Sequence, residues 1–144
     1  MLTACGPSQC GKTFWIYKLL LYLEKMITPK IEKVLYLYTS YQRLYDEMKI
    51  VIKEKKYITI DFIDCNKGIP RASDIQTNLL DNTLVILDDL MGIAASSKEN
   101  TANLDNFACG DSHHSNISII FTCQNLCYGK LRNSRINSQY TVEI

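Results

Sequence analysis

The run Gly6-Pro7-Ser8-Gln9-Cys10-Gly11-Lys12-Thr13 constrains this chain more than any other stretch. It matches G-x-x-x-x-G-K-[ST], the spacing at which successive backbone N–H groups can converge on phosphate oxygens. Glycines at both ends permit a tight turn and a close approach of backbone to an anion. Residues 2–5 are short and apolar, and no helix breaker follows the loop until Pro29. A strand therefore feeds the loop and a helix leaves it, so the helix's free N–H groups and positive dipole end face the loop's contents. In this reading Gly6 to Thr13 wrap the phosphates of ATP and Lys12 adds a point charge on the β- and γ-phosphates. Thr13 offers a hydroxyl to Mg²⁺, a cation that takes oxygen ligands and keeps several waters. With glycine near 7% of residues, a chance match in a chain this long is roughly 1 in 200.

The rest of the chain supplies the sheet that such a loop needs. Residues 33–39 and 83–87 are apolar on both faces, the habit of buried parallel strands. Residues 57–63 alternate and are rich in β-branched side chains, and 117–123 form another strand. One more begins at 139–144. Between them, 11–27 read as one helix, 42–56 as an amphipathic helix with Leu44, Met48, Val51 and Ile52 inward, and 73–80 as a short helix. Residues 91–100 read as a polar loop and 101–109 as helical. Strands alternating with helices predict an α/β three-layer sandwich around a mainly parallel sheet, and the phosphate loop on it reads as a P-loop NTPase. No linker or repeat divides residues 1–144, and 144 residues make one domain. With the loop starting at residue 6 and the chain stopping inside its last strand, the domain is expected to be shortened at both ends and incomplete at its C-terminus.

Composition narrows the partners. Sixteen Lys and Arg against fifteen Asp and Glu give a formal charge of +1, so net charge offers no long-range steering toward nucleic acid or anionic lipid. No stretch approaches the roughly 20 apolar residues of a membrane span. Six unevenly spaced cysteines, without a charged-then-apolar leader, fit reduced thiols inside a cell rather than a secreted disulfide framework.

Two further clusters carry chemistry. Leu84-Val85-Ile86-Leu87 runs into Asp88-Asp89, and two carboxylates after a buried strand are costly unless they meet a cation or a proton-transfer task. Asp88 is the candidate to hold Mg²⁺ through its water shell. Asp89 is the candidate to orient and deprotonate the attacking water. At the end of the next strand, Thr122-Cys123-Gln124-Asn125 presents Gln124 to the γ-phosphate or the nucleophilic water. Helix capping by the acidic pair and turn formation by Gln124 are the ordinary alternatives.

Taken together, 6–13, 85–90, the stretch 107–126 with its paired His113-His114, apolar strand and Gln124-Asn125, and Asn133-Ser-Arg-Ile-Asn-Ser-Gln-Tyr140 resemble the genome-packaging ATPases of the FtsK/HerA superfamily. The similar type is that of poxviruses and other large DNA viruses, virophages and Polinton-like elements. The resemblance spans most of the chain and is densest from Thr83 onward. It implies a RecA/FtsK-like P-loop NTPase fold and an ATP-driven homo-oligomeric ring that threads double-stranded DNA into a capsid through its portal or vertex. It places such a protein in the host cytoplasm or virus factory, with the virion as a second location. Lys12 and Thr13 match the family's phosphate loop, Asp88 and Asp89 its acidic pair, and Gln124 its sensor glutamine. Arg135, with Arg132 as second choice, lies where an arginine finger would be sought, a group worth 10³–10⁵ in rate. Gln9-Cys10 depart from the small residues usual in that loop.

Alternatives stay open at this point. A helicase, a phosphotransferase with a small acceptor, or a shortened nucleotide-binding module without turnover would share the same loop. Cys109, His113, His114, Cys123 and Cys127 are zinc-ligand types, but C-x₃-H-H and C-x₃-C are not a finger layout. Lys49, Lys53, Lys55 and Lys56 read as a solvated helix face. Tyr36 and Tyr38 read as sheet packing rather than as base-stacking platforms. Asn66-Lys67-Gly68-Ile69 lacks the aspartate of the guanine-reading Asn-Lys-x-Asp motif.

Overall fold

A computed structural model describes residues 1–76, 82–109, 117–125 and 138–144. Six strands, β1 (Leu2–Cys5), β2 (Lys33–Tyr38), β3 (Thr59–Asp64), β4 (Thr83–Asp88), β5 (Ile117–Cys123) and β6 (Tyr140–Glu143), form one sheet in the order β3-β2-β4-β5-β1-β6. Every pairing in it is parallel. The helices are α1 (Lys12–Leu21), α2 (Leu23–Met26), α3 (Leu44–Glu54), α4 (Ala72–Gln76), α5 (Met91–Ser96) and α6 (Lys98–Cys109).

Side-chain parity along the strands explains the layers. Val34, Tyr36, Leu84, Ile86 and Ile120 point to one face and bury Ile16, Leu20 and Leu23 of α1 and α2 with Met48 and Ile52 of α3. Leu35, Leu37, Val85, Leu87, Ile119 and Phe121 point to the other, where they meet Ala72 and Ile75 of α4, Ala94 of α5 and Leu104 and Phe107 of α6. Each fully buried aliphatic side chain contributes roughly 1.5–3 kcal/mol. The expected three-layer α/β sandwich is the fold observed.

Three local expectations change. The helix expected over 11–27 breaks at Tyr22, whose backbone leaves helical geometry at φ −108°, ψ 21°. Lys55 reaches across from the end of α3 and donates to the Leu21 carbonyl at 3.0 Å, taking an acceptor from the helical ladder at the break. Residues 91–100 are largely helical rather than a polar loop. Asn100 is the reason: its Nδ2 donates to the Ile93 carbonyl at 3.2 Å, and its Oδ1 accepts from the Ile69 N–H at 2.9 Å. Asn103 adds a donation to the Ile69 carbonyl at 2.8 Å, so polar tertiary bonds add to the apolar contacts of Met91, Ile93 and Ala94. On α3 the inward set includes Tyr45, which is fully buried, whereas Leu44 and Val51 are only half-buried.

Strand order positions the candidate site. β5, with Gln124 just past its end, lies between the loop-bearing β1 and the acid-bearing β4. Register sets Ala4 level with Thr122, Cys5 level with Cys123 and Tyr38 level with Asp88, so the C-terminal tips of β1, β5, β4 and β2 end side by side. Ligands of open parallel sheets bind at that edge.

Candidate functional site

The loop from Gly6 to Thr13 leaves the end of β1 and enters α1. Its first N–H is pinned, Gly6 donating to the Cys123 carbonyl at 3.1 Å. Gln9 (φ 66°) and Gly11 (φ 101°) adopt left-handed backbone, which turns the loop over the start of α1. Gly11 is the N-cap and no side chain caps the helix, so the first-turn N–H groups lack intrahelical acceptors. Glycine is required at position 6 for a second reason. A Cβ there would run into the backbone oxygen of Ile144 and stand 2.6 Å from Cys10 Sγ.

Lys12 is only 8% exposed, and its ammonium donates to the carbonyls of Gly6 at 2.6 Å and Pro7 at 2.8 Å. The charge is thereby held inside the loop itself. Next to it, the Thr13 hydroxyl donates to Asp88 Oδ2 at 3.5 Å across a sequence gap of 75 residues. The sheet thus brings the end of the loop and the acidic pair together.

Asp88 is 4% exposed, and among the described residues no cation pairs with it. Hydroxyls satisfy it instead. Thr122 donates to Oδ1 at 2.7 Å, while Tyr36 and Tyr45 donate to Oδ2 at 2.6 and 3.1 Å. Burial and the neighbouring Asp88 carboxylate push both phenols above the ordinary tyrosine value, so they stay protonated donors. A buried carboxylate beside a threonine hydroxyl, with no protein cation, is a hard oxygen set of the kind Mg²⁺ takes.

Asp89 follows with φ 52°, a left-handed conformation that is uncommon for a residue bearing a Cβ. The reversal brings its carboxylate to the tip of β5, where Gln124 Nε2 donates to Oδ1 at 3.2 Å and Oδ2 at 3.0 Å. Its own N–H donates to Thr122 Oγ1 at 2.9 Å. Thr122 therefore ties the two acids together, donating to one and accepting from the backbone of the other.

Sequence reasoning missed Thr122, Tyr36 and Tyr45 as site residues. Thr122 lies in the tetrapeptide that ends β5, and its parity opposite β4 is the signal that singles it out. Nothing in the sequence separates the Tyr36 ring, which does pack in the sheet as expected, from the role of its hydroxyl. Arg132, Arg135, His113, His114 and Cys127 lie outside the described residues. Cys123 is described and is buried beside Cys5; burial first, then the Cys5 thiol, raises it to about 12. Among the described residues no group of three or more His, Cys, Asp or Glu is arranged to hold a metal. Nor is any helix among them long and apolar enough to cross a membrane.

Comparison with known proteins bears on the fold. No family model matches the sequence, and no curated protein matches it either. Among solved structures, the chain is similar to "The cytoplasmic domain of EssC", at a TM-score of 0.70 and 15% sequence identity over 99% of this chain. The chain spans 30% of the length of that structure. The likeness is one of fold: a six-stranded parallel sheet flanked by helices, an α/β architecture shared with that domain.

Proposed function

We propose that this chain binds Mg²⁺–ATP between the loop 6–13 and the Asp88-Asp89 pair and hydrolyses it as one subunit of a motor acting on double-stranded DNA. The observation that carries this reading is the convergence at one sheet edge of Thr13, Asp88, Asp89 and Gln124, linked by direct hydrogen bonds. The fold matched by the EssC cytoplasmic domain supports a nucleotide-driven module. The sequence resemblance described above supports the finer assignment to genome packaging in a homo-oligomeric ring.

Each residue then has a task. Backbone N–H groups of the loop and of the first turn of α1 bind the phosphate oxygens. Lys12 exchanges the Gly6 and Pro7 carbonyls for the β- and γ-phosphates. Thr13 and Asp88 would hold the metal. When bound, Mg²⁺ would neutralise negative charge on the phosphates. Asp89 accepts a proton from the attacking water, and Gln124, already fixed on that carboxylate, orients both. Catalysis of this kind is mostly positioning and electrostatic stabilisation. Arg135 is the candidate finger reaching a neighbour's site.

Steady-state ATP hydrolysis with and without duplex DNA tests the proposal. DNA-stimulated turnover that rises steeply with protein concentration supports the motor. Turnover only with a small acceptor points to a phosphotransferase, and binding without turnover to a non-hydrolysing module. Lys12→Ala is expected to weaken nucleotide binding about 10–100-fold, the value of one or two charge-assisted hydrogen bonds.

A further inference from the structure

A carboxylate oxygen has two lone pairs. Asp88 Oδ2 faces three hydroxyls, those of Tyr36, Tyr45 and Thr13, whereas Oδ1 accepts, among the described residues, from Thr122 alone. Oδ2 is therefore saturated by the protein, and one position remains on Oδ1. The two phenols cannot easily leave. Tyr36 belongs to β2 and Tyr45 to α3, both are buried, and their rings lie 4.8 Å apart with Phe62 at 5.1 Å from each. Two separate elements thus hold hydroxyls on the same carboxylate oxygen.

This has a consequence for metal choice. Ca²⁺ takes six to eight oxygens in flexible geometry and often binds carboxylates through both oxygens, whereas Mg²⁺ keeps its waters and uses few carboxylate contacts. Resting on the proposed Mg²⁺–nucleotide site, we infer that Tyr36 and Tyr45 are positioning residues that set its metal specificity. By occupying Oδ2 they deny Asp88 two-oxygen capture of a cation and so select Mg²⁺ over Ca²⁺.

The test is equilibrium binding of a fluorescent ATP analogue to the full chain, titrated with Mg²⁺, with Ca²⁺, and in EDTA. Tyr36→Phe and Tyr45→Phe keep the ring packing and remove only the hydroxyl, and urea unfolding checks that each variant is folded. In Tyr36→Phe/Tyr45→Phe the Mg²⁺-to-Ca²⁺ ratio of half-saturating concentrations is expected to move toward Ca²⁺ by about 10-fold, the low end of changes around metal ligands. Binding in EDTA stays unchanged, each single variant moves the ratio in the same direction, and adding Asp88→Asn abolishes the shift. A merely structural role would weaken all three conditions equally. An unchanged ratio, or equal loss in all three, overturns the inference while leaving the nucleotide site standing. Metal-independent binding by the unmodified chain overturns the site itself, and the inference with it.

Discussion

Thr122→Val isolates the bond that couples the two acids. Valine keeps the branched shape inside a fully buried position of β5 but removes the hydroxyl. Two interactions go at once: the donation to Asp88 Oδ1 at 2.7 Å and the acceptor for the Asp89 N–H at 2.9 Å. A hydrogen bond to a charged acceptor is worth about 1.5–3 kcal/mol, and an orphaned donor costs about 1–3 kcal/mol. Because the Asp89 amide is only partly buried, the lower figure applies to it, and the sum is about 3 kcal/mol. At this chain length that corresponds to a fall in Tm of roughly 10 °C. Thr122→Ser keeps both bonds and loses one buried methyl, costing about 1 kcal/mol. Urea unfolding of the three proteins should therefore rank them threonine, serine, valine. Valine at or above serine would refute the reasoning, because packing rather than the hydroxyl would then dominate the position.

Asp89→Asn should leave nucleotide affinity within about twofold while lowering turnover about 10²–10⁴-fold, the usual worth of a general base; unchanged turnover removes Asp89 from that role. Gly6→Ala, whose Cβ would meet backbone of Ile144 and the Cys10 thiol, should destabilise the protein by about 1–3 kcal/mol and reduce nucleotide binding in a filter assay. The alkaline limb of stability has a definite sign. Burial raises Cys123 to about 12 and Cys65 to about 11, above the ordinary thiol value of 9.0, so the unfolded chain loses these protons first. Their contribution is full below pH 9.0 and is lost as pH climbs from there toward about 11–12. Urea midpoints at pH 8 and pH 10.5 should differ, and Cys123→Ala should shrink the difference.

The sequence carried the sheet because parallel strands buried on both faces leave continuous apolar runs. β2, β4 and β5 are such runs, and each was expected within a residue or so of its observed bounds. Residues 91–100 look like loop in the sequence because their helical order is supported by Asn100 and Asn103 bonding to Ile69, a relation between segments about 30 residues apart. At the Tyr22 break the Leu21 carbonyl is likewise satisfied from a distant segment, by Lys55 at the end of α3. In the candidate site, the positions of Lys12, Thr13, Asp88, Asp89 and Gln124 at one sheet edge are legible because each sits at a strand tip or loop position fixed by local pattern. The hydroxyls around Asp88 were not, since Tyr36, Tyr45 and Thr122 meet it only through strand register and the placement of α3.

The central claim is that one metal–nucleotide complex bridges the loop 6–13 and the acidic pair. A crystal structure of the chain with Mg²⁺ and a non-hydrolysable ATP analogue tests it most directly. The account predicts the triphosphate across the N-terminus of α1, the metal on the Thr13 hydroxyl, and Asp88 meeting it through water. A nucleotide bound elsewhere, or a metal out of reach of Asp88, would contradict it.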